Sequence, residues 1–188
     1  AIQREFVWSQ AQICSLFDSL LRGYPIGTFL SWRIPAEQTK DLTFYDVMRD
    51  YHELKNRHSS RLALDHSQPV TAILDGQQRL TSLNIGLKGS YAVKRPGARV
   101  TSSDAYPVRR LFLDLCYVPD PSDELGVDYL FRFLTPAEAA GENAGGKRHW
   151  VLASKGLELA AGPEIFKYVQ TAGLAEHPTA YTALHSLH

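Results

Sequence analysis

The run Ile73-Leu74-Asp75-Gly76-Gln77-Gln78-Arg79-Leu80-Thr81-Ser82-Leu83 gathers a carboxylate, a glycine, two amides and a guanidinium at a single break between apolar segments. Arg79 offers a planar fork of donors that matches phosphate oxygens. Gln77 and Gln78 can donate amide N–H groups or orient a water, and Asp75 can hold Mg²⁺ or accept a proton from an attacking water. The same side chains also serve structure: Asp75 capping the turn, Gln78 exposed, and Arg79 paired with a carboxylate.

The elements that must position them follow from the flanking residues. Val70, Ile73 and Leu74 favour a strand, Asp75-Gly76 is turn chemistry, and Leu80, Leu83 and Leu87 recur at helical spacing. This predicts strand, tight turn and helix, with Gln77, Gln78 and Arg79 in the first helical turn. Unpaired N–H groups and the positive end of the helix dipole favour an anion there. Gly76 lets a ligand approach the backbone without a Cβ in the way.

A second constellation stands at the start of the chain, in Ile2-Gln3-Arg4-Glu5-Phe6-Val7-Trp8. In an extended segment Arg4, Phe6 and Trp8 share one face, a basic and aromatic set suited to clamping a base or a phosphate. The plain structural reading makes Phe6 and Trp8 core residues of an edge strand and pairs Arg4 locally. Ser9 with Gln12 then forms a capping box, and Ile13, Leu16, Phe17, Leu20 and Leu21 give the apolar stripe of a helix over 9 to 22. Gly23 ends that helix and Pro25 prevents its continuation.

Together the two motifs resemble the GmrSD-type family, the N-terminal domain of modification-dependent bacterial restriction proteins. Asp75-Gly76-Gln77-Gln78-Arg79 followed by Leu-Thr-Ser-Leu matches its signature, and Gln3-Arg4 through Trp8, then Leu20-Leu21-Arg22-Gly23-Tyr24-Pro25-Ile26-Gly27, matches its opening motif and helix exit. Ile2 stands where the family often has an aromatic residue. The resemblance is close from Ile2 to about Leu87 and loose beyond. It implies a ParB/sulfiredoxin-like mixed α/β domain over residues 1–160, followed over 161–188 by the start of a C-terminal helical region.

The resemblance also implies a function: binding and hydrolysis of a nucleoside triphosphate with Mg²⁺, sensing of modified DNA, and control of a nuclease domain elsewhere in the same protein or complex. Asp75, Gln77, Gln78 and Arg79 would act catalytically on the phosphates, with Asp75 as metal ligand. Gly76, Arg79, Gln3 and Arg4 would bind nucleotide, and Gln3, Arg4 and Trp8 would meet DNA. A reading of a different class is a non-catalytic ParB-like DNA-binding module that uses nucleotide only as a switch, or not at all.

Composition sets outer bounds. At 188 residues, 44% hydrophobic and 21% charged, the chain is of ordinary globular type and of single-domain size. Formal charge is +0, so a nucleic-acid contact has to come from a local patch. Cys14 and Cys116 suit buried reduced thiols, which points to the cytoplasm. No apolar run approaches the roughly 20 residues that span a bilayer, so no membrane role is expected. Ala1 falls inside a motif and is not Met, which suggests that residues precede it.

Further along, strands are expected over 26–32, 91–93, 111–115 and 129–134, and a second amphipathic helix with Phe44, Val47, Met48, Tyr51 and Leu54 on its apolar face. Thr135-Pro136 with Glu138 opens a short helix, 142–147 reads as a flexible loop, Trp150-Val151-Leu152 resumes apolar structure, and the tail from Pro163 is helical. Asp65-His66-Ser67-Gln68-Pro69 superficially resembles the Asp-His-x-x-Pro run of His-Me-finger nucleases but lacks a downstream metal partner, and it is read as a loop. The histidines show no zinc spacing, and no Walker lysine loop, GxSxG or HExxH occurs. Lys94, Arg95, Arg99, Arg109 and Arg110, and Lys147-Arg148-His149, are basic clusters that suit solvated loops or a DNA backbone.

Overall fold

A computed structural model describes residues 5–123, 126–160 and 162–188. Chain order begins with α1 (Gln10–Leu21), β1 (Leu30–Ile34), β2 (Phe44–Tyr45), β3 (Asp50–His52), β4 (Arg61–Leu62), β5 (Val70–Asp75), α2 (Gln77–Lys88) and β6 (Ser90–Ala92). It continues with β7 (Val108–Asp114), β8 (Phe131–Leu134), α3 (Pro136–Ala144), β9 (Trp150–Leu152), α4 (Lys155–Glu158), α5 (Pro163–Thr171) and α6 (Ala180–Leu187). Short 3₁₀ turns follow β1 and precede β7.

The two helices with capping boxes start where their sequences place them. Ser9 Oγ accepts from Gln12 N while Gln12 Oε1 accepts from Ser9 N, and Ile13, Leu16 and Phe17 are buried below. Thr135 and Glu138 repeat the arrangement at α3. Glu138 also binds Arg109, whose guanidinium hydrogen bonds hold its carboxyl down at about 2.

The mixed α/β architecture is built on β7. β3 pairs parallel with β6, β6 pairs antiparallel with β7, and β8 lies antiparallel on the opposite edge of β7. β9 pairs with the later residues of β7, Phe112 to Asp114. Asp114, fully buried, joins these strands: Oδ1 accepts from Cys116 N and His149 N, and Oδ2 accepts from Arg148 at 2.7 Å. β1 and β5 form a separate antiparallel pair, as do β2 and β4.

One apolar cluster runs through the centre. Phe6, Ile13, Phe17, Met48, Ile85, Leu111, Leu113, Phe131 and Val151 belong to it, and so do Ile165, Val169 and Leu184 from α5 and α6. The tail helices therefore bury their apolar stripes against the same core as α1 and β7. Cys14 and Cys116 are free thiols, and burial pushes Cys14 up to about 12.

Three sequence expectations are corrected. The amphipathic helix expected around Phe44 to Leu54 is absent; β2 and β3 occupy its place. Asn84 Nδ2 on α2 donates to the carbonyls of both Val47 and Met48, taking acceptors that a helix would have satisfied internally, while Asp50 to His52 find β6. The first strand starts at Leu30 rather than Ile26, because the Ile26 and Thr28 carbonyls accept from Arg79 and Gly27 has φ +86°. The flexible loop expected from Glu142 begins later, since α3 runs to Ala144, where Asn143 and Glu142 hold the backbone and indole nitrogens of Trp150.

Candidate nucleotide site at the start of α2

β5 runs into α2 through a single residue. Gly76 adopts φ +86°, a left-handed conformation that glycine enters without steric cost, and no side chain caps the helix. The first N–H groups of α2 therefore lack both an intrahelical acceptor and a side-chain cap, and the helix presents its positive end at this turn. Asp75 is highly exposed, its side chain at 74%. Gln77 is exposed as well, and its Nε2 donates to Ile73 O at 2.8 Å.

Gln78 faces the start of the chain. Its Oε1 accepts from Val7 N at 3.2 Å and its Nε2 donates to Glu5 O at 2.9 Å, so both ends of one amide clasp an extended backbone. This brings the segment after Gln3-Arg4 onto the first turn of α2. Gln3 and Arg4 themselves lie outside the described residues. Phe6 is core and meets Tyr51 edge-on, and Trp8 packs partly buried against the same core while its carbonyl accepts from Tyr91 Oη at 2.9 Å. Burial, with Tyr51 next to it, pushes the Tyr91 phenol up to about 12, so it remains a donor.

Arg79 is committed to a loop. Nη1 donates to Ile26 O at 2.6 Å and Nη2 to Thr28 O at 2.7 Å, with Asp75 a longer 3.8 Å away. The guanidinium also lies 4.9 Å from the centre of the Phe29 ring, a cation–π contact. Glycines make room for this packing: a Cβ on Gly27 would come within 2.6 Å of Arg79 Nη1, and one on Gly76 within 2.6 Å of the Phe29 ring. Phe29 thus closes one side of the turn, and the Asp75 and Gln77 side stays open.

Phe29 and the carbonyls of Ile26 and Thr28 are site components that the sequence reading missed. Their local signal in the sequence is Gly27, two residues after the proline that ends the α1 exit. Three cavities among the described residues lie away from the turn. One, lined by Lys40, Phe44, Arg61 and His66 among others, places His66 beside Thr39, whose Oγ1 is 2.9 Å from Nδ1. A second sits between α1, β8 and α3, with Cys14, Arg109, Arg132 and Glu142 in its walls. Among the described residues no group of three His, Cys, Asp or Glu side chains is placed to hold a metal ion, and no helix is long and apolar enough to cross a membrane.

Comparison with known proteins agrees with this arrangement of motifs. Residues 1–149 match the family model described as GmrSD restriction endonuclease, N-terminal domain. An uncharacterized protein of Methanocaldococcus jannaschii is 42% identical over 81 residues, covering 43% of this chain and 13% of that protein. The chain thus corresponds to only a small part of that relative's length. With its two motifs joined through Gln78 and its family match extending through β8 and α3, the chain belongs to the GmrSD restriction endonuclease N-terminal domain family.

Proposed function

We propose that this domain binds a nucleoside triphosphate with Mg²⁺ at the Gly76 turn and hydrolyses it, and that it thereby controls a nuclease domain elsewhere in the same protein or complex when modified DNA is met. The observation that carries the reading is the uncapped N-terminus of α2, entered through a left-handed glycine directly after an exposed carboxylate. Phosphate oxygens accept from the free N–H groups of that first turn. A ParB/sulfiredoxin-like arrangement of nucleotide on turn and helix fits this geometry.

The side chains divide the work. Asp75 would hold Mg²⁺ delivered with the phosphates, a cation that needs only one or two carboxylates when substrate oxygens and waters complete its shell. Bound there, it would offset phosphate charge. Gln77 orients the attacking water from the open side. Gln78 and Arg79 are positioning residues, since their polar atoms fasten the N-terminal segment and the 26–28 loop as walls of the site. Gln3 and Arg4, which precede in sequence the backbone that Gln78 clasps, and Trp8, which follows it, are the proposed contact with DNA.

One observation favours a second reading, in which nucleotide acts only as a switch. Gln78 and two donors of Arg79 are already taken by backbone, and Gln77 Nε2 donates to Ile73 O, which leaves the Asp75 carboxylate and the Gln77 Oε1 as the side-chain groups available for chemistry. Phosphate release separates the two. Hydrolysis predicts release from Mg·NTP that stops on chelation and falls at least about tenfold in Asp75→Asn, in the range of a single acid–base or metal contact. Absence of release with all four bases, in the presence of modified DNA, contradicts hydrolysis and leaves the switch.

A further inference from the structure

Arg109 and Arg110 are neighbours on β7, and strand alternation sends their side chains to opposite faces. Arg109 is taken by Glu138 of α3. Arg110 goes to the other face, where with Arg49, Lys88, Gly89, Leu111 and Ser154 it lines a cavity of about 260 Å³ at the C-terminal end of α2. No acidic residue lines this cavity. Among the described residues, none of the ion pairs includes Arg49, Lys88 or Arg110.

Three cations around one hollow repel one another, and the chain has acids in equal number to its bases with which to pair them. The negative end of α2 accounts for two of the three. Lys88 sits in the last helical turn, and Arg49 Nε donates to Lys88 O at 2.6 Å. Arg110 comes from a different element and gains nothing from those carbonyls. Gly89 contributes a floor without a side chain, because a Cβ there would lie 1.7 Å from Arg49 O. The backbone of Arg49 is thus pressed against the helix end.

We propose that this cavity is a phosphate-binding site, taking either a free phosphate anion or a phosphodiester of a nucleic-acid backbone. Arg49, Lys88 and Arg110 supply the charge and Ser154 a hydroxyl donor. The site is separate from the Gly76 turn: α2 has 12 residues, which sets the two ends about 18 Å apart. Its chemistry is that of a positive hollow with donors from β7, the residue before β3, the N-cap of α4 and the end of α2, with no carboxylate in its lining, so it binds and does not cut.

The test is a titration of the isotopically labelled chain with inorganic phosphate, at ionic strength held constant with chloride, followed through backbone amide shifts. The Gly89 and Ser154 amides should shift and saturate, and Arg110→Gln should weaken the binding roughly tenfold, the loss of one charge-assisted contact. Lys88→Gln, at an exposed helix position, should weaken it similarly and serves as the variant of record if Arg110→Gln lowers the melting temperature. A short DNA duplex that shifts the same amides and is displaced by phosphate assigns the site to a backbone phosphodiester. A duplex that leaves them still, while phosphate shifts them, assigns it to a free anion. Unmoved Gly89 and Ser154 amides, shifts confined to Gln77 and Gln78, or binding undiminished in both variants would overturn the proposal.

Discussion

Replacing Gly89 with alanine is expected to cost about 3 kcal/mol of stability or more, placing it among the severe single substitutions. The added Cβ would stand 1.7 Å from Arg49 O and 2.6 Å from Arg49 C, and backbone atoms cannot rotate out of the way. The end of α2 and the entry to β3 would have to part. That separation strains Ser90 N to Arg49 O, Arg49 Nε to Lys88 O and Ser90 Oγ to Asp50 Oδ1, which together join helix to sheet. The backbone at Gly89 is in an extended conformation open to any residue, so the effect comes from close approach alone. Urea unfolding reads it directly, and a loss under about 1 kcal/mol would mean that this contact is looser than described.

Arg79→Ala should cost about 2–4 kcal/mol, because two charge-assisted hydrogen bonds to Ile26 O and Thr28 O vanish together with the contact to Phe29. The Arg79 side chain is only 20% exposed, so water replaces it poorly. Arg79→Lys should recover less than half of the loss, since an ammonium lacks the fork that spans two carbonyls. Limited proteolysis should then cut within 24–28 faster than in the parent chain, an opening of that loop without global unfolding. Unchanged stability in Arg79→Ala would show that the guanidinium is free for a ligand and is not a clamp.

How far the sequence could be read depended on how local each cause was. Both capping boxes, Ser9 with Gln12 and Thr135 with Glu138, lie within one helical turn and were visible as spelling. The strand, turn and helix around Gly76 were visible for the same reason, as a change of apolar period across a glycine. The segment from Phe44 to Leu54 was misread because its spacing suits a helix, and the deciding contacts come from Asn84 and β6, distant in the chain. The site shows the same division. Asp75, Gly76 and Gln77 sit at the turn as expected, while the partners of Gln78 and Arg79 belong to other segments, and no motif records which carbonyls a side chain will find.

The central claim is that the open first turn of α2 receives phosphate, and melting of the chain with and without millimolar Mg·NTP tests it most directly. Nucleotide that binds the folded turn and not the unfolded chain raises the melting temperature by mass action, increasingly with concentration. That rise is expected for at least one base, with a smaller rise in Asp75→Asn and an undiminished one in Arg110→Gln, which alters only the other end of α2. A melting temperature unchanged by all four Mg·NTPs, in the folded parent chain, would contradict it.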